Sequence, residues 1–360
     1  SYNVAIGSSA LYANTTGSNI VAIGNGAMIS NTSGEESVGV GSNALYYNTT
    51  GGQNTALGTA ALNSNTTGSY NTSIGYQALY SNTTANSNTA IGYRALYSNT
   101  IGLGNIGIGS ESLYSNSTGS NNTAIGYLAL QSNTASDNTA IGNSALQDNT
   151  TGKYNTAIGK GALENNTTGL TNTAVGGKAL YRNTTGIRNS SLGYMSLFSN
   201  TSGSWNTAMG DYALYSNTTG DVNTVFGNKA LQFNTTGTGN TAFGSWALKN
   251  NITGIENTAI GIDAGMNSTG SGNLFIGTAA GYNQTSGDYK LYISSALSEW
   301  NEDGTWAGIE ESYNLLYGDF TTGQLDLGQT SGTVTTLNDF NVDGNATFDE
   351  TATVTGTSTL

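Results

Sequence analysis

Asn88-Thr89-Ala90-Ile91-Gly92-Tyr93-Arg94-Ala95-Leu96-Tyr97-Ser98-Asn99-Thr100 decides the fold, because its pattern returns every 17 residues along most of the chain. The glycine that closes the Ala-Ile-Gly step falls at Gly7, Gly24, Gly41, Gly58, Gly75, Gly92, Gly109 and Gly126. After a one-residue deletion it resumes at Gly142, Gly159, Gly176, Gly193, Gly210, Gly227, Gly244 and Gly261, and a second deletion sets the last at Gly277. The consensus is N-T-A-I-G-x-x-A-L-x-x-N-T-T-G-x-x, numbered here from the Asn, so that Asn88 is position 1 and Gly104 position 17. So short and regular a period marks a solenoid, each repeat being one turn of a coil. The predicted fold class is all-β: a parallel β-solenoid (β-roll) of 17-residue coils.

Working outward, each coil divides into a strand at Asn88–Gly92, a second short strand at Ala95–Leu96 and a polar turn such as Asn82-Thr83-Thr84. Gly and Asn suit the positive φ of tight corners. Stacking at the strand spacing of ~4.8 Å makes seventeen coils a rod of roughly 80 Å, with Asn and Thr ladders along its axis. Alternation puts Thr89 and Ile91 on one side and Ala90 and Gly92 on the other. Large aliphatics thus line one side and small residues the other. A thin coil buries one side only, so the second is expected to pack on another chain through its small residues, the alternative being a flattened monomeric solenoid with a small-residue outer face.

The pattern changes after Gly277. Boundaries are predicted at 1–287 for the solenoid, 288–337 for a β-hairpin cap or connector, and 338–360 for the start of a fibrous β stalk. The expected hairpin joins Leu315–Phe320 to Gln324–Leu327 around Thr321-Thr322-Gly323.

Composition excludes several function classes. There is no histidine, cysteine or proline, and only 9% of residues are charged. The usual general base, thiolate metal sites and disulfides are therefore missing. The net charge is -13. All nine basic residues lie at or before Lys290, beside 11 of the 22 acids; the other 11 acids begin at Glu299. No basic patch exists for a phosphate backbone, so nucleic acid is not an expected partner. No apolar run reaches the ~20 residues that span a bilayer, so membrane insertion is not expected. The chain opens inside a coil, and its N-terminus reads as processed, truncated or incomplete.

Asn122-Thr123-Ala124-Ile125-Gly126-Tyr127-Leu128-Ala129-Leu130 resembles the head repeats of trimeric autotransporter adhesins. The polar turn here is an insertion relative to those shorter repeats. Asn273–Gly281, Lys290–Ser294 and Leu316–Thr322 look like the segment that follows such repeats in phage tail-fibre and bacterial surface proteins. Many of those proteins end in an endosialidase-type intramolecular chaperone domain, which is absent from this sequence. The resemblance implies a left-handed β-roll assembled as a homotrimer. It also implies an extracellular setting, on a virion tail fibre or a bacterial cell surface.

Candidate chemistry is sparse. Tyr76, Tyr93, Tyr127 and Tyr194 at position 6, with Tyr80 and Tyr97 at position 10, form a possible strip for stacking on a cell-surface glycan or protein receptor, or else a cover for a seam. Asn14, Asn48, Asn65, Asn82, Asn149, Asn183, Asn217 and Asn234 head Asn-x-Thr sequons, and glycans on them would crowd at ~4.8 Å spacing. Glu299, Glu302, Asp303, Glu310 and Glu311 beside Trp300 and Trp306 are the only cluster even faintly like a two-carboxylate glycosidase, and a solvated acidic loop is the reading preferred for them. No catalytic residue, metal site or cofactor is assigned. The expected function is a non-enzymatic fibre presenting a receptor-binding or adhesive surface. The alternatives are a structural, sugar-coated filament or sheath subunit, and a polysaccharide depolymerase.

Overall fold

A computed structural model describes residues 2–300, 306–322 and 324–327, with side chains through Ser294 and at 316 and 318–322. Seventeen three-residue strands run from β1 (Val4–Ile6) to β17 (Leu274–Ile276), one per coil. Each pairs in parallel with the next at zero offset. In β6 (Thr89–Ile91), Thr89, Ala90 and Ile91 lie opposite Ile106, Gly107 and Ile108 of the following coil. The parallel β-solenoid is thus the observed architecture.

The region read as a second strand is a turn instead. Leu96 has φ 52°, and its counterparts Leu45, Leu79, Leu130 and Leu214 lie between 49° and 52°. A left-handed conformation costs a non-glycine residue roughly 1–2 kcal/mol. It persists because it turns the Leu inward, where burial contributes about 1.5–3 kcal/mol. Leu45, Leu79, Leu96 and Leu130 are all fully buried. The turn is laddered like the strand, since the Leu45 amide donates to Ala61 O at 3.0 Å in the next coil.

The inward face also differs from expectation. Ala56, Ala90, Ala124, Ala140, Ala157 and Ala208 are sealed in the core, whereas the aliphatic at position 4 faces out. The reason is the thinness of the coil, because position 3 rests directly on the Leu of position 9. A Cβ built on Gly107 would lie 3.2 Å from Leu96 Cγ, which leaves room for an alanine and little more. The exception at the last coil follows the same rule. Phe275 takes position 3 because glycines replace Leu on both sides; Cβ atoms on Gly265 or Gly281 would lie 2.6 and 2.4 Å from its ring.

Two asparagine rows complete the core. At position 12, Asn48 Nδ2 donates to Asn31 Oδ1 (2.8 Å) and to Gly51 O (2.9 Å). At position 1, Asn71 Nδ2 donates to Ala85 O (2.9 Å) while its amide donates to Asn54 Oδ1 (3.0 Å). Position 13 adds a third row, in which Thr49 Oγ1 donates to Thr66 O at 3.0 Å. Buried amides remain tolerable because a neighbouring coil supplies the partner each lacks, with Asn234 Oδ1 the exception in the position 12 row.

The stack ends by changing strand direction. β18 (Lys290–Trp300) pairs in parallel with β17 and antiparallel with β19 (Trp306–Asp319), which pairs antiparallel with β20 (Gln324–Leu327). Asp319 faces Gln324 across the expected hairpin. Lys290 and Asp319 form an ion pair at the start of this unit. The hydrogen bond from Lys290, with others from Thr321, holds the Asp319 carboxyl well below the usual carboxylate range. The predicted stalk at 338–360, and Glu302 and Asp303, lie outside the described residues, as do the side chains of Glu299, Glu310 and Glu311.

Candidate ligand-binding surface

Outward positions form three kinds of row. Positions 2 and 4 sit on the open face of the sheet. Position 4 gives an apolar row through Ile23, Val40, Leu57, Ile74, Ile91, Ile108, Ile125, Ile141 and Ile158, and on to Phe243 and Ile260. Leu57 is 47% exposed and Phe243 55%, although both belong to a row with no break along the rod.

Beyond the position 5 glycine, positions 6, 7 and 10 make a second face. Tyr76 and Tyr93 stack at 5.7 Å, in one row. Tyr80, Tyr97 and Tyr114 stack at 5.2 Å steps in a parallel row. Arg94 lies between the rows, its guanidinium carbon 5.2 Å from the Tyr93 ring centre and 5.5 Å from that of Tyr97. Four of the six predicted tyrosines are therefore brought together. Tyr127 stands farther along the position 6 row, and Tyr194 meets Tyr212 edge-on at 5.6 Å. Stacking limits what these rows can do, because neighbouring rings cover each other's faces and leave mainly edges and hydroxyls for a ligand.

The sequon asparagines turn inward. Asn48, Asn65, Asn82, Asn149, Asn183, Asn217 and Asn234 have no exposed surface, and Asn14, in the first coil, is half-buried. Asn82 Nδ2 already donates to Asn65 Oδ1 (2.8 Å) and Ala85 O (3.1 Å), and a sugar on that nitrogen would break the ladder. The folded coil has no space for it. Asn-Thr-Thr here is core and turn chemistry.

Sequence reasoning missed a trough at the first coils. It is lined by Asn25, Gly26, Asn43, Tyr46, Tyr47, Asn63 and Tyr80, with a volume of about 380 Å³. Positions 6 and 7 carry only Ser8, Asn25, Ser42 and Thr59, and Ser9, Gly26, Asn43 and Ala60, through four successive coils. That run of small residues was the available signal. The position 10 row is also interrupted, with Asn63 between Tyr46 and Tyr80.

A buried carboxylate lies at the far end of the same face. Asp263 is fully buried, and neither oxygen has a hydrogen-bond partner among the described residues. Burial pushes its pKa up to about 6, against the pull of Lys249. Its unfolded value is about 3.9, so the charged form is penalised only in the folded state. The penalty is absent below about pH 4, grows between about 4 and 6, and is complete above. Asp263→Asn is expected to raise stability near pH 7 by about 2–3 kcal/mol, and by little at pH 4. The left-handed backbone, φ 58°, accepts asparagine readily. Thermal melts of both proteins across that pH range test this, and equal midpoints at pH 7 would refute it.

No known protein family, curated protein or solved structure matches this chain. Among the described residues, no group of three or more acidic side chains is placed to hold a metal ion.

Proposed function

We propose that the protein is a non-enzymatic, extracellular, homotrimeric fibre that presents a receptor-binding or adhesive surface, as in a phage tail fibre or bacterial surface adhesin. The observation that supports this best is the unbroken apolar row at position 4. A continuous apolar stripe along an exposed sheet face is the usual mark of an interaction surface. Two further copies of the same rod, in the same coil register, would cover it along its full length. This reverses the sides expected from alternation: the aliphatics meet the partners, and the small residues fill the core. The extracellular setting and the trimer also draw on the resemblance to adhesin head repeats. The face beyond the position 5 glycine, with its tyrosine rows and trough, would remain outside the trimer and meet the receptor.

Native mass spectrometry tests the assembly against the 36.9 kDa chain. Three chains without added mass is the expected result. A single chain would overturn the trimer and leave the apolar row uncovered. Open-ended multimers would favour a sheath or filament subunit.

A further inference from the structure

We propose that the trough over the first coils is a binding site for an extended neutral polysaccharide, with one sugar ring seated between Tyr46 and Tyr80. The inference rests on the receptor-binding reading above and names its ligand class. Tyr46 and Tyr80 are two coils apart, about 10 Å along the axis. In the coils that follow, Tyr80, Tyr97 and Tyr114 place one ring at each step, at 5.2 Å intervals. The gap at Asn63 is therefore one ring thick, bounded by an aromatic side chain above and below.

The floor of the gap is polar and has spare hydrogen-bonding capacity. Asn63 is 93% buried, with 7% exposure, and its Nδ2 donates back to Asn43 O at 3.1 Å. Its Oδ1 has no hydrogen-bond partner among the described residues, and neither do the side-chain amides of Asn25 and Asn43. Gly26 keeps the trough open, since a Cβ there would lie 2.8 Å from Asn43 Oδ1 and 3.2 Å from the Tyr46 ring. The lining has no charged side chain, only amides, phenols, a serine, a glycine and an isoleucine. Amides that both donate and accept suit sugar hydroxyls, and aromatic faces suit the apolar faces of pyranose rings. An anionic glycan would find no counter-charge in this lining.

The test is titration calorimetry of the intact protein with a panel of neutral linear oligosaccharides and matched uronic-acid oligosaccharides. The expected result is binding of at least one neutral member. Asn63→Tyr should weaken it about tenfold or more, because the new ring completes the row and fills the gap. That variant is expected to keep the wild-type native mass and melting temperature, since position 10 takes tyrosine in coils on either side. Tyr46→Ala supplies a second test from the other wall and should also weaken binding. Neutral glycan binding unaffected by either variant would overturn the site while leaving an adhesive fibre intact. Binding of the uronic-acid chains alone would overturn the ligand class. Failure of every oligosaccharide would overturn the proposal, and receptor binding to whole cells would then decide the broader reading separately.

Discussion

Gly109→Ala is expected to disrupt the rod at its seventh coil, at a cost of about 2–6 kcal/mol per chain. Two penalties add. Gly109 has φ 128°, a region closed to alanine without strain of about 1–3 kcal/mol. A Cβ there would also lie 2.4 Å from Gly126 O and 2.6 Å from its carbonyl carbon. Backbone held by ladder bonds on both sides cannot move away, so overpacking adds another 1–3 kcal/mol or so. Glycine occupies position 5 in all seventeen coils, whereas Ala85 and Ala135 are accepted at position 15. Solenoids couple only neighbour to neighbour, so the damage should appear as a local opening or a split melting transition. Limited proteolysis with mapping of the first cuts checks this. Cuts unchanged from wild type, together with an unchanged melt, would show that the position 5 contact has slack.

Asn200→Ala is expected to cost about 2–5 kcal/mol, far more than its small change in volume suggests. Asn200 Nδ2 donates to Asn183 Oδ1 (2.9 Å) and Gly203 O (2.8 Å), and its Oδ1 accepts from Asn217 Nδ2 (2.8 Å). Truncation strands Asn183 Oδ1 in the core and removes one of the two acceptors of Asn217. Each buried polar atom left without a partner costs about 1–3 kcal/mol. Ser202→Ala, two residues away on an exposed position, should stay within about 0.5 kcal/mol and serves as the control. Denaturant unfolding of the two variants makes the comparison. Similar midpoints would mean that the amide row is replaceable by water and is not a structural spine.

Architecture was legible because it rests on periodicity, and a repeat of 17 leaves few ways to stack. The internal conformation of the coil was harder to read. Ala95-Leu96 has ordinary strand composition, and nothing local announces a leucine with positive φ. That conformation exists because the coil as a whole needs Leu96 inside. Alternation correctly separated Ala90 from Ile91, but it could not say which was inside. The answer depends on cross-section, which Leu96 and the two asparagine rows set together. The tyrosines of positions 6 and 10 were legible as a strip, yet their mutual stacking is a property of coil spacing. The trough was hidden for the opposite reason, since it consists of side chains that are small or missing at four successive coils.

The ladders have a mechanical consequence. Nearly all bonds between coils lie along the long axis, so tension on a tethered rod loads them one coil after another. Opening one coil surrenders about 4.8 Å of rod and releases 17 residues, which extend to roughly 55–60 Å. Because the coils are near copies, successive openings need similar force. The rod would therefore lengthen under load in even steps at a nearly level tension, dissipating work as it goes, and a surface contact at its tip would be spared the peak of a sudden pull.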